Sequence, residues 1–343
     1  MSDIHIRKVG RTGRITLKRP EALNALTLDM LREIGAILPI WAADDDISML
    51  VVDAEGDKAF CAGGDIAEIY AAMKSGNYDL PREFWREEYP VNLALFNFPK
   101  PIASFLQGFT MGGGVGVGCH ASHRIVCENS QIAMPECSIG LVPDVGGSLL
   151  LARAPGRLGE YLGMTSTRMG PGDAIFAGFA DYFIPYSDWT DLIIDLEETG
   201  DWGRIDCAAY QVPESPLAAD RSLIDSHFSG ETHRDITNDL GLAADWGAKT
   251  LEKIARNAPL ATAATPELIH RARARDNIAE ALRNEYRFGH RIAAQGDFQE
   301  GIRAAIIDRD RNPQWSHKNL ADVALMEVSQ MLLPLGADEL VLT

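Results

Sequence analysis

Residues 108–147 read GFTMGGGVGVGCHASHRIVCENSQIAMPECSIGLVPDVGG, and the interpretation of the whole chain turns on them. The run Gly112-Gly113-Gly114-Val115-Gly116-Val117-Gly118 is apolar and passes directly into Cys119 and His120. Without Cβ, such a backbone can approach a ligand closely and adopt positive φ. Amide N–H groups facing a concavity, above all where a helix opens, make a place for negative charge. The run therefore predicts a turn opening a buried helix whose first N–H groups stay available. Two carboxylates follow eight positions apart, Glu136 in MPE and Asp144 in PDVGG, each beside a proline in otherwise uncharged sequence. Carboxylates so placed are candidates for acid–base or nucleophilic work.

Working outward, 343 residues can bury a sizeable core in one domain or two. The 46% hydrophobic and 24% charged content is that of a soluble globular protein. A net charge of −17 argues against a nucleic-acid or anionic-membrane surface. It leaves room for a small anionic ligand, because a local ring of N–H groups can outweigh the global field. The opening MSDIHIRKVG has no apolar signal region, and no window approaches the roughly 18 apolar residues of a membrane span. Five cysteines, at 61, 119, 127, 137 and 207, lack C-x-x-C spacing, which speaks against a metal or disulfide framework. The expectation is a cytoplasmic protein with reduced thiols.

From the N-terminus, residues 4–9 and 13–18 alternate and predict a hairpin. Thr27 is placed to cap a helix carrying Leu28, Leu31, Ile34, Ile37 and Leu38 at helical spacing. SMLVVDA (48–54) is a buried-strand run leading to paired glycines at 63–64 and a helix start at Asp65. Residues 71–90 are polar and aromatic, and a helical stretch within them would place Phe84, Glu87 and Glu88 within one turn of each other. KPIASFLQG (100–108) repeats strand, glycine loop, helix, and HRIVCEN is a third strand before the glutamate. This recurrence suggests a superhelical stack of ββα units rather than a doubly wound sheet. Residues 165–185 predict a helix from about Gly172 and a short strand, and 187–257 short helices. Residues 265–294 have helical periodicity over about seven turns. DFQEGIRAAIIDRD and LADVALMEVSQML predict further helices.

Four motifs in order, AFCAGGDI (59–66), TMGGGVGVG (110–118), AMPECSIGLVPDVGG (133–147) and DFQEGIRAAIIDRDRNPQW (297–315), resemble the crotonase (enoyl-CoA hydratase/isomerase) superfamily over nearly the whole chain. Within it the resemblance is strongest to the branch that hydrolyses 3-hydroxyisobutyryl-CoA. It implies an α/β (α+β) fold in which a spiral of ββα turns, residues 1–200, carries the active site and CoA site. A helical C-terminal region, 201–343, would pack on it. It also implies an oxyanion hole of two backbone N–H groups, those of Gly64 and Gly113. A thioester under attack gathers charge on its oxygen, and each fixed donor lowers the barrier by roughly 3–4 kcal/mol.

Hydratases of this family pair a glutamate after the second glycine loop with one in a PE motif. Gly116 stands at the first position here and Glu136 at the second. Asp144 and Glu88 match the hydrolase pattern instead. Adding water across a double bond needs two acid–base groups on one water, so this exchange of carboxylates favours thioester cleavage. By the resemblance, Glu136 attacks the thioester or activates water, Asp144 orients the 3-hydroxyl, positions water or passes a proton to the thiolate, and Glu88 shapes the acyl pocket. CoA would lie against Asn24 and the loop Ala62, Gly63, Asp65, Ile66. CoA belongs to the substrate, and no separate cofactor or metal is expected, nor a nucleic-acid or membrane partner; a homo-oligomer stays open.

Blander readings stand beside these. Glu136 could be a helix-start carboxylate, Asp144 an N-cap, and Glu87 rather than Glu88 the inward residue. Cys119, Cys127 and Cys137 suit the core, and His120 and His123 are read as structural. Arg271, Arg273 and Arg275 either approach CoA phosphates or form an exposed helix face. Two rival functions remain: an enoyl-CoA hydratase/isomerase using Glu136, and a non-catalytic acyl-CoA-binding protein.

Overall fold

The computed structural model describes residues 3–342. The expected hairpin forms from strands β1 (Ile4–Val9) and β2 (Thr12–Leu17), paired antiparallel. From there the chain alternates between two sheets. β3 (Met49–Ala54), β5 (Ile102–Phe105), β7 (His123–Val126) and β9 (Tyr182–Phe183) extend the first in parallel, giving the order β1-β2-β3-β5-β7-β9. β4 (Ala59–Cys61), β6 (Phe109–Met111) and β8 (Gln131–Ala133) stack in parallel as the second. Each turn thus gives one strand to each sheet, the spiral that the recurrence suggests. β4, β6 and β8 escape a period-two reading because three residues cannot complete two alternations. For that reason the strand Phe109–Met111, directly after the stretch 100–108, does not show in the sequence pattern.

The inner strands Met49–Ala54 and Ile102–Phe105 are buried on both faces, as their continuous apolar runs require. Met49, Val51, Phe105 and Ile125 pack against Ile184, Trp189, Leu196 and Ile205, with the Phe105 and Trp189 rings 5.2 Å apart. The helix Leu28–Ala42 starts as expected, the Thr27 hydroxyl accepting from the Met30 N–H at 3.2 Å.

The chain forms two compact units, each assembled from separated segments. One gathers the residues up to Gly64, Pro90–Ala133 and Arg168–Ala218; the other gathers Asp65–Tyr89, Met134–Thr167 and Ala219 onward. No single cut at residue 200 divides them. The first holds both sheets. The second is helical, and its long helix Pro259–Arg275 packs on Gly147–Arg153 and Leu158–Thr165.

Three expectations need correction here. The periodic stretch 265–294 is two helices, Pro259–Arg275 and Ile278–Ile292. Asp276 breaks it at φ 46°, and the Asn277 side chain caps the next helix by accepting from the Glu280 N–H at 3.0 Å. DFQEGIRAAIIDRD is helical over Asp297–Ile302 and widens to π geometry over Arg303–Ile307. Of the three arginines, Arg273 neither faces solvent freely nor waits for phosphate. It grips the fully buried Glu160 through both oxygens, at 2.7 and 2.9 Å, beside Arg157 and His270. Arg271 is held by Glu267 at 2.7 Å.

Candidate active site

In the sheet-bearing unit, the two glycine loops predicted to supply oxyanion donors lie side by side. Gly63 has φ +110°, and a Cβ built on it would stand 3.4 Å from the Met111 carbonyl oxygen and 3.9 Å from the Gly113 nitrogen. Leu26 ties this loop down by donating to the Gly63 carbonyl at 2.9 Å, and Ala62 donates to Leu23 at 3.0 Å. The second loop turns at Gly112 (φ 50°) into the buried helix Gly113–Gly118. The first helical bonds come from Val115 and Gly116 to the Gly112 carbonyl, so the Gly113 and Gly114 amides precede them. Gly114 is obligatory for packing, because a Cβ there would fall 2.3 Å from the Cys61 carbonyl oxygen. Gly116 lies inside the same buried helix, where no side chain projects.

Asn24 is buried, and its side chain ties its own loop to the segment 55–59. It accepts from the Arg19 N–H and donates to the Glu55 and Ala59 carbonyls at 2.8–2.9 Å. Any CoA contact there is with main chain. Ala62, Gly64, Asp65 and Ile66 are half-buried, and Gly63 is buried. His120 meets Phe96 edge-on and His123 stacks on Tyr182 at 6.0 Å, in keeping with structural roles. Cys119, Cys127 and Cys137 are buried.

The helical unit brings the predicted carboxylates together. Glu88 lies on the helix Asp79–Phe96 and is buried, whereas Glu87 is half-exposed, so Glu88 is the inward one. Glu136 opens the 3-10 turn Glu136–Ile139, and Asp144 precedes a tight turn with Val145 at φ 55° and Gly146 at φ 80°. Asp144 is not the N-cap of the next helix; Gly146 is. The Asp144 carboxylate accepts from the Tyr89 hydroxyl at 2.8 Å, with both residues buried. Oε1 of Glu88, Oε2 of Glu136 and the Tyr286 hydroxyl have no hydrogen-bond partner among the described residues. Buried atoms left open in this way are costly unless a ligand or water meets them.

The electrostatics follow from burial and mutual repulsion. Desolvation, then the charge of Asp144, pushes Glu88 and Glu136 well above the usual carboxylate range. Asp144 is raised by burial to about 7, while the Tyr89 hydrogen bond pulls the other way. Burial also keeps Tyr89 protonated and therefore a donor. Asp144 is thus the group placed to hold charge near neutrality.

The family model described as enoyl-CoA hydratase/isomerase matches residues 12–332. The chain belongs to this family. Its curated relatives include the mitochondrial 3-hydroxyisobutyryl-CoA hydrolases of Danio rerio (37% identical, spanning 94% of this chain and 87% of that one) and Homo sapiens (34%, 98% and 90%). Among solved structures, an enoyl-CoA hydratase from Rhodobacter sphaeroides 2.4.1 superposes with a TM-score of 0.94 at 53% identity, covering 99% of this chain and 100% of that one. A carnitinyl-CoA dehydratase from Mycobacterium thermoresistibile gives 0.93 at 35% identity, covering 99% of each. Members of the enoyl-CoA hydratase/isomerase family with different named reactions are therefore similar to this chain, and the carboxylates have to separate them.

Two groups at this site are invisible to motif reading. Tyr89 is the neighbour of Glu88 and orients Asp144. Glu285, on the helix Ile278–Ile292, is fully buried and accepts from the Gly146 and Ser148 amides at 2.8 and 3.0 Å and from the Ser148 hydroxyl. The signal for Glu285 was a charged residue in the apolar stripe Ile278, Leu282, Gly289, Ile292.

Proposed function

We propose that the protein is an enzyme that hydrolyses a short 3-hydroxyacyl-CoA thioester, with 3-hydroxyisobutyryl-CoA the foremost substrate, to the free acid and CoA. The observation that carries this reading is the buried, mutually repelling pair Glu136 and Asp144 in a chain that has glycine at 116. In its ionised form, which burial and the Asp144 charge disfavour in the free protein, Glu136 either attacks the carbonyl carbon, forming an anhydride that water then opens, or takes a proton from the attacking water. In both routes the carbon–sulfur bond breaks, a carbon–oxygen bond forms from water, and the thiolate leaves with a proton. Asp144, with its pKa near 7, suits a group that gives and takes a proton at neutral pH. The Gly64 and Gly113 amides would hold the thioester oxygen, as the family resemblance implies. Glu88, with one oxygen open, offers an acceptor for the 3-hydroxyl. CoA arrives with the substrate, and the chemistry calls for no further cofactor.

Curated relatives named as 3-hydroxyisobutyryl-CoA hydrolases support this substrate, and with it a place in valine breakdown. Among the described residues no helix is long and apolar enough to cross a membrane. A cytoplasmic location is part of the proposal, although those relatives are named mitochondrial. A second reading, hydration or dehydration of an enoyl-CoA through Glu136, is favoured by the descriptions of the two superposed structures.

Thiol release from (S)-3-hydroxyisobutyryl-CoA, followed with a colorimetric thiol reagent beside the absorbance of crotonyl-CoA, separates the readings. Thiol release supports the hydrolase. A change in crotonyl-CoA absorbance without thiol moves the protein to hydration, and tight acyl-CoA binding with neither signal leaves a binding protein.

A further inference from the structure

The turn that carries Asp144 holds a conformation its own sequence resists. Val145, a β-branched residue, sits at φ 55°, a region such side chains rarely enter, and Gly146 follows at φ 80°. Something must over-determine this backbone. Glu285 contributes three of the bonds that hold it: Oε2 accepts from the Gly146 N–H, and Oε1 accepts from the N–H and hydroxyl of Ser148. The donors approach both oxygens, which specifies a carboxyl group rather than an amide. A glutamine would turn its NH2 toward one of these N–H groups. The location is unfavourable for a charge, since burial raises the Glu285 pKa to about 8 despite the three donors. A residue there only to fill the core would be apolar. The next residue, Tyr286, meets the Tyr89 ring edge-on at 6.4 Å, and Tyr89 donates to Asp144. One helical turn thus braces Asp144 twice, through its backbone and through its carboxylate partner.

We propose that Glu285 is a positioning residue that fixes the Asp144 carboxylate by clamping the backbone of residues 146–148. This rests on the hydrolase reading above, in which Asp144 takes part in the reaction.

The test is a double-mutant cycle on the full chain. Steady-state thiol release from (S)-3-hydroxyisobutyryl-CoA is measured for the parent, Glu285→Gln, Asp144→Asn and the double variant, with melting curves for each. Glu285→Gln is expected to lower kcat about 10- to 100-fold with KM within about threefold. In the Asp144→Asn background the same change is expected to cost less than about threefold, because the group it positions is already gone. Ser148→Ala, which removes one donor only, is expected to lower kcat about 3- to 10-fold, and it decides the matter if Glu285→Gln does not fold. Losses that multiply in the double variant, or a Glu285→Gln (or, in its place, Ser148→Ala) with parental kcat, overturn the positioning role and leave the hydrolase reading intact. A parent that releases no thiol overturns both.

Discussion

Tyr89 donates its phenolic proton to Asp144 across 2.8 Å, and neither residue is open to solvent. A donor aimed at a carboxylate favours the ionised form, while burial opposes it; the balance leaves Asp144 near 7. Tyr89→Phe removes the favourable part and keeps the burial. An inflection near pH 7 in kcat/KM, the one that Asp144→Asn abolishes, is therefore expected to move up by about one pH unit. An inflection that stays in place would show that the hydrogen bond does not set the Asp144 pKa.

The carboxylates themselves can be changed without changing shape. Glu136→Gln and Asp144→Asn are each expected to lower kcat for thiol release by 10² or more, the usual cost of losing an acid–base group. Because burial disfavours charge at both positions, the neutral amides are expected to fold and to melt no lower than the parent at pH 8. Either variant retaining more than a third of parental kcat would remove that residue from the mechanism.

Stability should carry the imprint of the same groups. Asp144 and Glu285 are raised from ordinary values of 3.8 and 4.5 to about 7 and about 8, and Glu88 and Glu136 are raised as well. An acid whose folded pKa is raised binds its proton more tightly in the folded state. Its stabilising contribution is full below the ordinary value and is lost as pH rises toward the folded one. Glu160, held by Arg273, Arg157 and His270, is lowered to about 2, so its contribution is lost as pH falls from 4.5 toward 2. From these groups the unliganded protein is expected to melt highest near pH 4.5 and several degrees lower at pH 8.5. Asp144→Asn should shrink that difference. A melting temperature that rises steadily from pH 5.5 to 8.5 would contradict the assignment.

The parts of this fold that repeat a period over several turns could be read without coordinates. Leu28–Ala42 has a cap and a clean stripe, and Met49–Ala54 is a continuous apolar run. The parts that escaped reading are decided by contacts distant in sequence. The strands Ala59–Cys61, Phe109–Met111 and Gln131–Ala133 exist because they pair with one another, not because three residues prefer extension. The break at Asp276 is one residue in the left-handed region with no glycine or proline to announce it. At the site, Glu136 and Asp144 stood out because they sit alone in uncharged sequence. Glu88 and Glu87 are adjacent, and only the packing of their helix tells them apart. Tyr89 and Glu285 act through hydrogen bonds to residues 55 and 139 or 137 positions away, which no local pattern encodes.

The glycine loop offers a prediction in which geometry leaves little freedom. An ideal Cβ on Gly114 would lie 2.3 Å from the Cys61 carbonyl oxygen and 3.0 Å from its carbonyl carbon. Both are backbone atoms beside the loop of Gly63 and Gly64, so no side chain can rotate away. Either the helix Gly113–Gly118 or that loop must shift. Gly114→Ala is therefore expected to destabilise the protein by roughly 3 kcal/mol or more, in the upper range for point substitutions, and to abolish turnover in whatever fraction folds. Gly170→Ala is the matched control. Nothing lies within 4 Å of its Cβ position, and its φ of −71° suits alanine. Its cost should stay within about 1 kcal/mol, that of a weaker helix cap. Equal destabilisation by the two substitutions, measured by denaturant titration, would mean that the close approach of Gly114 to Cys61 is not what holds the loops in place.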